Sequence, residues 1–364
     1  MKESINTDHL IIGQGLAGTL LAHFLLQQNQ SVIILDEYRP YTSSRVAAGL
    51  FHPITGRRLV KSWMVETLFD FSREFYSTQE KLLHVNFFFP KNLIEIISSN
   101  HEYNVWMERL DDPGISQYLA EKPDPGIYQG ILKNDIKMIA LSGSGWMDIS
   151  RYIDSSFKYF SSLKILESRK FDSAKMTVLG NGIQYENIHA KKIIFCEGSD
   201  SIQSPIWDWV PFLPSKGEIL TIQSSELPEN YILLNGIFII PIGNQRFRVG
   251  STYSWTYENE LPTDQAKEDI LLKLRQTISV PFEIVDHKSA IRPTVKDRRP
   301  ILGEHPAMRN VYMFNGLGTK GVLLGPYFAK AFADHLINKT PLIEEVDLQR
   351  FYSFFEKKIE TLKT

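Results

Sequence analysis

The sequence predicts an α/β protein: an open, largely parallel sheet flanked by helices, with an α+β subdomain built on a mixed sheet inserted into it. Three observations predict this. A strand–glycine turn–helix–strand unit opens the chain, "HLIIGQGLAGTLLAHFLLQQNQSVIILDE", His9 to Glu37. A second strand–glycine turn–helix closes it, "NVYMFNGLGTKGVLLGPYFAKAFADHLI", Asn310 to Ile337. Between them lies hairpin-like sequence, "GIFIIPIGNQRFRVGSTYSW".

The opening unit is justified residue by residue. Leu10, Ile11 and Ile12 form a short apolar run, as in a strand buried on both faces. From Leu16 the apolar positions Leu20, Leu21, Phe24 and Leu25 give a helix with one buried stripe. Ser31 opens a second β-branched run that ends on Asp36 and Glu37, so the unit reads βαβ. Gly13 permits the tight turn, Gly15 lets a pyrophosphate approach the backbone, and Gly18 lets the helix lie close to the sheet. The helix-start amides of Leu16 and Ala17 then face the phosphates. Asp36, 18 residues after Gly18, accepts from both ribose hydroxyls and repels a 2′-phosphate, which disfavours NADP. This unit alone does not separate NAD from FAD.

Later stretches bear on that choice. "SSRVAAGLFHPITGRR" places Ala47, Ala48 and Gly49 after Ser44 and Arg45, small residues suited to a backbone passing a flat ring system; an ordinary loop entering a helix has the same look. "KKIIFCEGSDS" is a buried strand followed by Glu197 and Gly198, with Cys196 read as a small core residue. In the closing unit a strand ends at Phe314. A turn follows with Gly316, Gly318 and Gly321, enclosing Leu317 and Thr319, and a helix begins near Val322. The Lys320 cation precedes that helix, an arrangement that stabilises an anion at the helix start.

In order along nearly the whole chain, "GQGLAG" with Asp36, "SRVAAG", "GWMDISRYIDSSF", "FCEG", "KGEIL", "FRVGSTYSW", "AIRPTVKDRRPILG" and "GLGTKGVLLGP" resemble the FAD-dependent D-amino-acid oxidase family, which includes glycine and sarcosine oxidases. "GSTYSW" and "GLGTKG" look most like the oxidase domain of the bacterial bifunctional enzyme that trims carboxymethylaminomethyl groups on tRNA wobble uridine; its methyltransferase half has no counterpart here. The resemblance implies non-covalent FAD in a discontinuous Rossmann-type domain, residues 1–80, 142–212 and 288–364, and a substrate domain of residues 81–141 and 213–287. Phe171 joins the cofactor contacts expected from it. The hairpin is expected to turn at Gly243–Asn244, Asp264–Ile278 to form a surface helix, and "FYSFFEKKIETLKT" a closing helix with a basic end.

The resemblance also implies the chemistry: a substrate amine loses a hydride to flavin N5 and the imine hydrolyses. Arg292, in "IRPT", matches the family's carboxylate-binding arginine, a role suited to a planar bidentate cation; a structural pair with Asp297 is the alternative. Tyr253 is read as a lid or substrate hydrogen-bonder, or as core. Arg248 stands where sarcosine oxidases carry a lysine that activates oxygen, a departure that weakens the case for rapid oxidation by O2; with Arg246 it could equally face solvent. His52 is read either as a site-lining residue or as a structural hydrogen-bonder. Arg57, Arg58 and Lys61 form a basic group, either solvated or in contact with tRNA phosphates.

Composition sets the outer limits. The 364 residues are 43% hydrophobic and 23% charged, which gives a sizeable core, and a net charge of −2 gives no global attraction to nucleic acid or anionic membrane. The single cysteine, Cys196, excludes an intrachain disulfide and a thiolate zinc cage, and no His/Asp/Glu cluster has metal spacing. A polar "MKESINTDHL" start and the lack of a long apolar run read as a cytoplasmic protein without a membrane span. Four functions remain open: an oxidoreductase of amines or amino acids, the same fold acting on a modified uridine in tRNA, a non-catalytic FAD-binding protein, and an NAD-linked dehydrogenase.

Overall fold

A computed structural model describes residues 3–56, 59–133 and 137–363. The chain divides into two compact units, the first made of residues 1–45, 149–215 and 291–364 and the second of residues 46–148 and 216–290. Residues 46–80, expected with the first unit, thus fall in the second. Leu50 and Phe51 pair there with Trp146 and Gly145, and Ala48, Ile54 and Leu59 pack with Leu93 and Trp106.

The first unit is built on β1 (Ile5–Ile12), α1 (Leu16–Gln27), β2 (Val32–Asp36), α2 (Ile149–Ser162), β3 (Leu166–Ser168), β4 (Ile188–Phe195), β5 (Val311–Asn315) and α3 (Gly321–Asn338). The five strands run parallel in the order β3-β2-β1-β4-β5. In register, Ile12 lies beside both Leu35 and Phe195, and Phe195 beside Met313, so four strands end together at one edge. The chain leaves β1 toward β2 on one side, while β4 flanks β1 on the other. This is the switch point beyond whose strand ends α/β proteins bind ligands. The strands are apolar on both faces because both are covered: Leu10, Ile12, Ile193, Phe195 and Met313 pack with the fully buried Trp207 on one side.

Helix α1 departs from the single stripe expected. Gly18 to Leu25 are all buried, Thr19 and His23 included. The cause is that α2 and α3 both lie on it. His23 Nε2 meets Ser156 Oγ of α2 at 3.0 Å. Toward α3, Cβ atoms built on Gly321 and Gly325 would lie 3.1 and 2.5 Å from Leu16 and Leu20, and Gln28 Nε2 donates to Asp334 Oδ1 at 3.0 Å. These contacts advance together along both helices. Helices α1 and α3 are therefore parallel, with their N-termini side by side.

The second unit carries a mixed seven-stranded sheet ordered Glu283–Arg292, Ser215–Gln223, Arg246–Gly250, Phe238–Gly243, Ile232–Leu234, Leu93–Ile97, Lys137–Leu141. The pair Ile232–Leu234 and Leu93–Ile97 is parallel. The hairpin is present, but its turn is centred on Asn244 and Gln245, both left-handed at φ 56° and 59°, rather than on Gly243–Asn244. Two left-handed residues match the twist of a two-residue hairpin. The helix Asp264–Thr277 starts on Thr263, whose Oγ1 accepts from Ala266 N, and buries Ile270, Leu271 and Leu274. Tyr352–Lys363 forms the closing helix of the chain's first unit.

Candidate functional site: a dinucleotide cradle and its cations

The first glycine turn is fixed by backbone sterics. Gly13 has φ +96°, and a Cβ there would fall 2.7 Å from the Cys196 carbonyl oxygen. A Cβ on Gly18 would fall 1.9 Å from the Gly13 carbonyl oxygen and 3.3 Å from the Cys196 side chain. Gly18 thus brings the helix onto the turn and the end of β4. The first intrahelical bond joins Thr19 N to Gly15 O, so earlier amides are directed out of the helix start.

Two of those amides are already taken. Leu16 N donates to Ser44 Oγ at 3.0 Å, and Gln14 N to Asp36 Oδ2 at 2.7 Å. Leu16, expected to offer its amide to phosphate, spends it on Ser44, which therefore shapes the turn. Asp36 Oδ1 accepts from Tyr38 N at 2.7 Å. Each carboxylate oxygen takes one backbone hydrogen and keeps lone pairs for further donors. Glu37 is drawn to Arg39 (2.9 Å), whose guanidinium also pairs with Asp200.

Several expected cofactor contacts have structural partners instead. Arg45 pairs with Asp154 at 2.6 Å and lies over the Tyr38 ring at 4.5 Å. Gly49, at φ +75°, is glycine because a Cβ would fall 1.9 Å from the Met147 carbonyl oxygen; strand packing, not a flat ring, demands it. Ala48 is buried in an apolar cluster, while Ala47 is exposed. Phe171 stacks on Tyr185 and meets Phe195 edge-on, which makes it part of the sheet's packing.

The second glycine turn carries the positive charge. Gly316 and Gly318 are left-handed at φ 73° and 55°, and Cβ atoms there would crowd the Arg299 carbonyl oxygen and Thr294. Leu317 and Thr319 complete the short helical turn before α3. Lys320 stands at the start of α3, with its ammonium pushed down to about 8, first by burial and then by Arg299 and Arg298. Those two arginines, in the quoted "DRRP", went unassigned from the sequence because a charge run there reads as solvated surface. Asn315 was missed as well: its Nδ2 donates to Gly198 O at 2.9 Å and Ser201 Oγ at 3.0 Å, which ties the end of β5 to that of β4.

Arg292 is half-buried in the first unit, and its carbonyl accepts from Thr294 N, the residue against Gly318. Asp297, its considered partner, is engaged by Arg350 at 3.0 Å. In the second unit Arg248 is not solvated. It lies over Trp146 at 5.4 Å, 3.4 Å from the Ala48 carbonyl and 3.5 Å from Asp148, two partners the sequence reading missed. Arg246 on the same face is exposed. Tyr253 is 56% exposed, which removes the core reading. The His52 carbonyl accepts from Ser62 Oγ at 3.2 Å. Lys61 is paired with Glu66, and Arg57 and Arg58 lie outside the described residues.

These residues fit a dinucleotide that needs both ends of the first unit: a glycine turn and acid at one, a cation at a parallel helix start at the other. A match to the DAO family model, FAD dependent oxidoreductase, covers residues 8–335. The chain belongs to this family. Its cofactor is FAD, and the NAD-linked dehydrogenase reading is set aside. Among curated relatives, the glycine oxidase of Pseudomonas aeruginosa is 22% identical over 54% of this chain and 56% of that protein. The tRNA 5-methylaminomethyl-2-thiouridine biosynthesis bifunctional protein MnmC of Marinobacter nauticus is 21% identical over 96% of this chain and 59% of that protein. The chain thus matches less than two thirds of the length of these relatives. Among solved structures, glycine oxidase from Geobacillus kaustophilus aligns with a TM-score of 0.75 at 17% identity, covering 96% of this chain and 98% of that one. Iminodiacetate oxidase from Chelativorans sp. aligns at 0.71 and 19%, covering 94% and 98%. At these identities the likeness shows the fold. No helix among the described residues is long and apolar enough to cross a membrane.

Proposed function

We propose that this chain oxidises the C–N bond of a small amino acid or secondary amine that bears a carboxylate, with non-covalent FAD. The observation that carries the reading is the side-by-side placement of the α1 and α3 starts, with Lys320 at the second. FAD, when bound, supplies a two-electron acceptor. The chain's own residues hold and orient. The first glycine turn and Asp36 hold the diphosphate and ribose; Lys320, with the α3 dipole behind it, offsets negative charge at the other end. Arg292 fixes the substrate carboxylate as a planar fork. Burial pushes the Cys196 thiol up and leaves it unsuited to covalent attachment.

An anaerobic panel of amines and amino acids, read by flavin bleaching, tests this. Bleaching by carboxylate-bearing amines is expected. A flavin that none of them reduces would make the chain a holder of FAD only. Arg292→Lys should raise KM for those substrates about tenfold or more while leaving flavin content unchanged.

The match to MnmC along 96% of the chain favours a second reading, in which the amine is carried on a tRNA uridine in the cytoplasm. Nucleoside analysis of a deletion strain separates the two. Unchanged wobble-uridine modification removes this reading and leaves the free amine.

A further inference from the structure

The turn after β4 holds a carboxyl that nothing around it explains. Glu197 caps the short helical turn Gly198–Gln203, and its Cα lies 3.4 Å from where a Gly13 Cβ would stand, so it borders the first glycine turn. Its Oε2 is buried, with no hydrogen-bond partner among the described residues. A buried carboxylate oxygen without a donor is costly, and such an oxygen normally finds a partner or carries the proton that keeps the group neutral.

The surrounding charges do not supply one. Asp200, on the same helical turn, is a like charge. Arg39, after β2, is the cation in range, and its guanidinium is already shared between Glu37 and Asp200. The neighbouring Cys196 is a buried neutral thiol, and Ser43, 3.9 Å from the Gly198 Cβ position, carries no charge. Arg45 is committed to Asp154.

We propose that Glu197 takes up one proton from solvent when FAD binds and, as the neutral acid, donates a hydrogen bond to an oxygen of the cofactor. The proposal rests on the placement of FAD over the first glycine turn. Burial, reinforced by Asp200 and opposed by Arg39, already pushes the carboxyl up to about 7. A diphosphate brought to the adjoining turn adds like charge and raises it further. Binding is then linked to protonation: affinity is flat below about pH 7 and falls as pH rises between the free and bound values, at most tenfold per pH unit.

The test is FAD retention by the holoprotein, followed by the fluorescence of released flavin from pH 6 to 9. Expected for the native chain is a dissociation constant that is flat to about pH 7 and then rises close to tenfold per unit. Glu197→Gln, which keeps a donor without a titrating proton, should bind as the native chain does at pH 6 and stay flat to pH 9. A flat native profile, or a variant that keeps the native slope, overturns the proposal. If the variant does not fold, calorimetric titration of native apoprotein in two buffers of different ionisation enthalpy decides alone: near one proton taken up per FAD at pH 8 supports it, and none overturns it. Protein that holds no FAD at any pH would instead remove the cofactor placement itself.

Discussion

Asp36 and Lys320 set the two charges of the cradle, and each yields a prediction. Asp36 holds the Gln14 and Tyr38 amides, so it organises the turn in addition to its proposed role at the ribose. Asp36→Ala should cost about 1–3 kcal/mol of FAD binding, through lost charge-assisted hydrogen bonds. Equal FAD uptake by the variant in fluorescence titration would show the acid is misassigned. Lys320 has a depressed value near 8, so its cation dominates below that pH and is lost above it. A cation favours the more negative, reduced flavin, so the midpoint potential should drop through pH 8 more steeply than in Lys320→Met, where no such step remains. The place of Asp36 at the end of β2 was legible from its spacing. Arg298 and Arg299, which help depress Lys320, were not, because only the fold brings their charge to that turn.

At the scale of elements, the decisive contacts are between backbones. Gly18→Ala would set a Cβ 1.9 Å from the Gly13 carbonyl oxygen and 3.3 Å from the Cβ of buried Cys196, with no flexible side-chain end to yield. It should destabilise by at least ~1–3 kcal/mol, as overpacking does, and empty the flavin site. Gly325→Ala crowds the flexible tip of Leu20 at 2.5 Å and otherwise makes an ordinary contact with Leu317 at 3.7 Å, so its loss should be smaller. Melting temperature and flavin absorbance per mole of protein check both; equal effects would refute the distinction. Helix α1 was legible as a helix from its period. Its burial on all sides was not, since the apolar stripe of a helix records one partner and α3 is recruited from 300 residues away. Gly49 misled for a related reason: its small size answers to Met147, a strand distant in sequence.

For the molecule as a whole, three buried histidines shape the response to acid: His9, His23, and His305, whose ring burial pushes down to about 4. His9 of β1 has no ring partner among the described residues, His23 of α1 is bonded to Ser156, and burial pushes both down to about 3. Between pH 6.5 and 3 the unfolded chain binds protons that the folded chain refuses, so stability falls as pH falls through that window. Each histidine contributes up to about 1.4 kcal/mol per pH unit. Urea midpoints at pH 7, 6, 5 and 4 measure the slope. His23→Phe, which keeps a ring beside Tyr152 and Phe160, should reduce the slope by one histidine's share, up to about 1.4 kcal/mol per pH unit; an unchanged slope would mean His23 is protonated when folded. By itself the sequence determined the α/β class, the two glycine turns with their following helices, and the acid after the second strand, because local periodicity and the conformational needs of glycine are written within a few tens of residues. Only the tertiary structure decided that α1 and α3 start side by side, that Arg45 and the Leu16 amide are already occupied, and that one carboxyl oxygen of Glu197 stands buried without a partner among the described residues. Those facts depend on which distant backbones meet, and no local pattern encodes that.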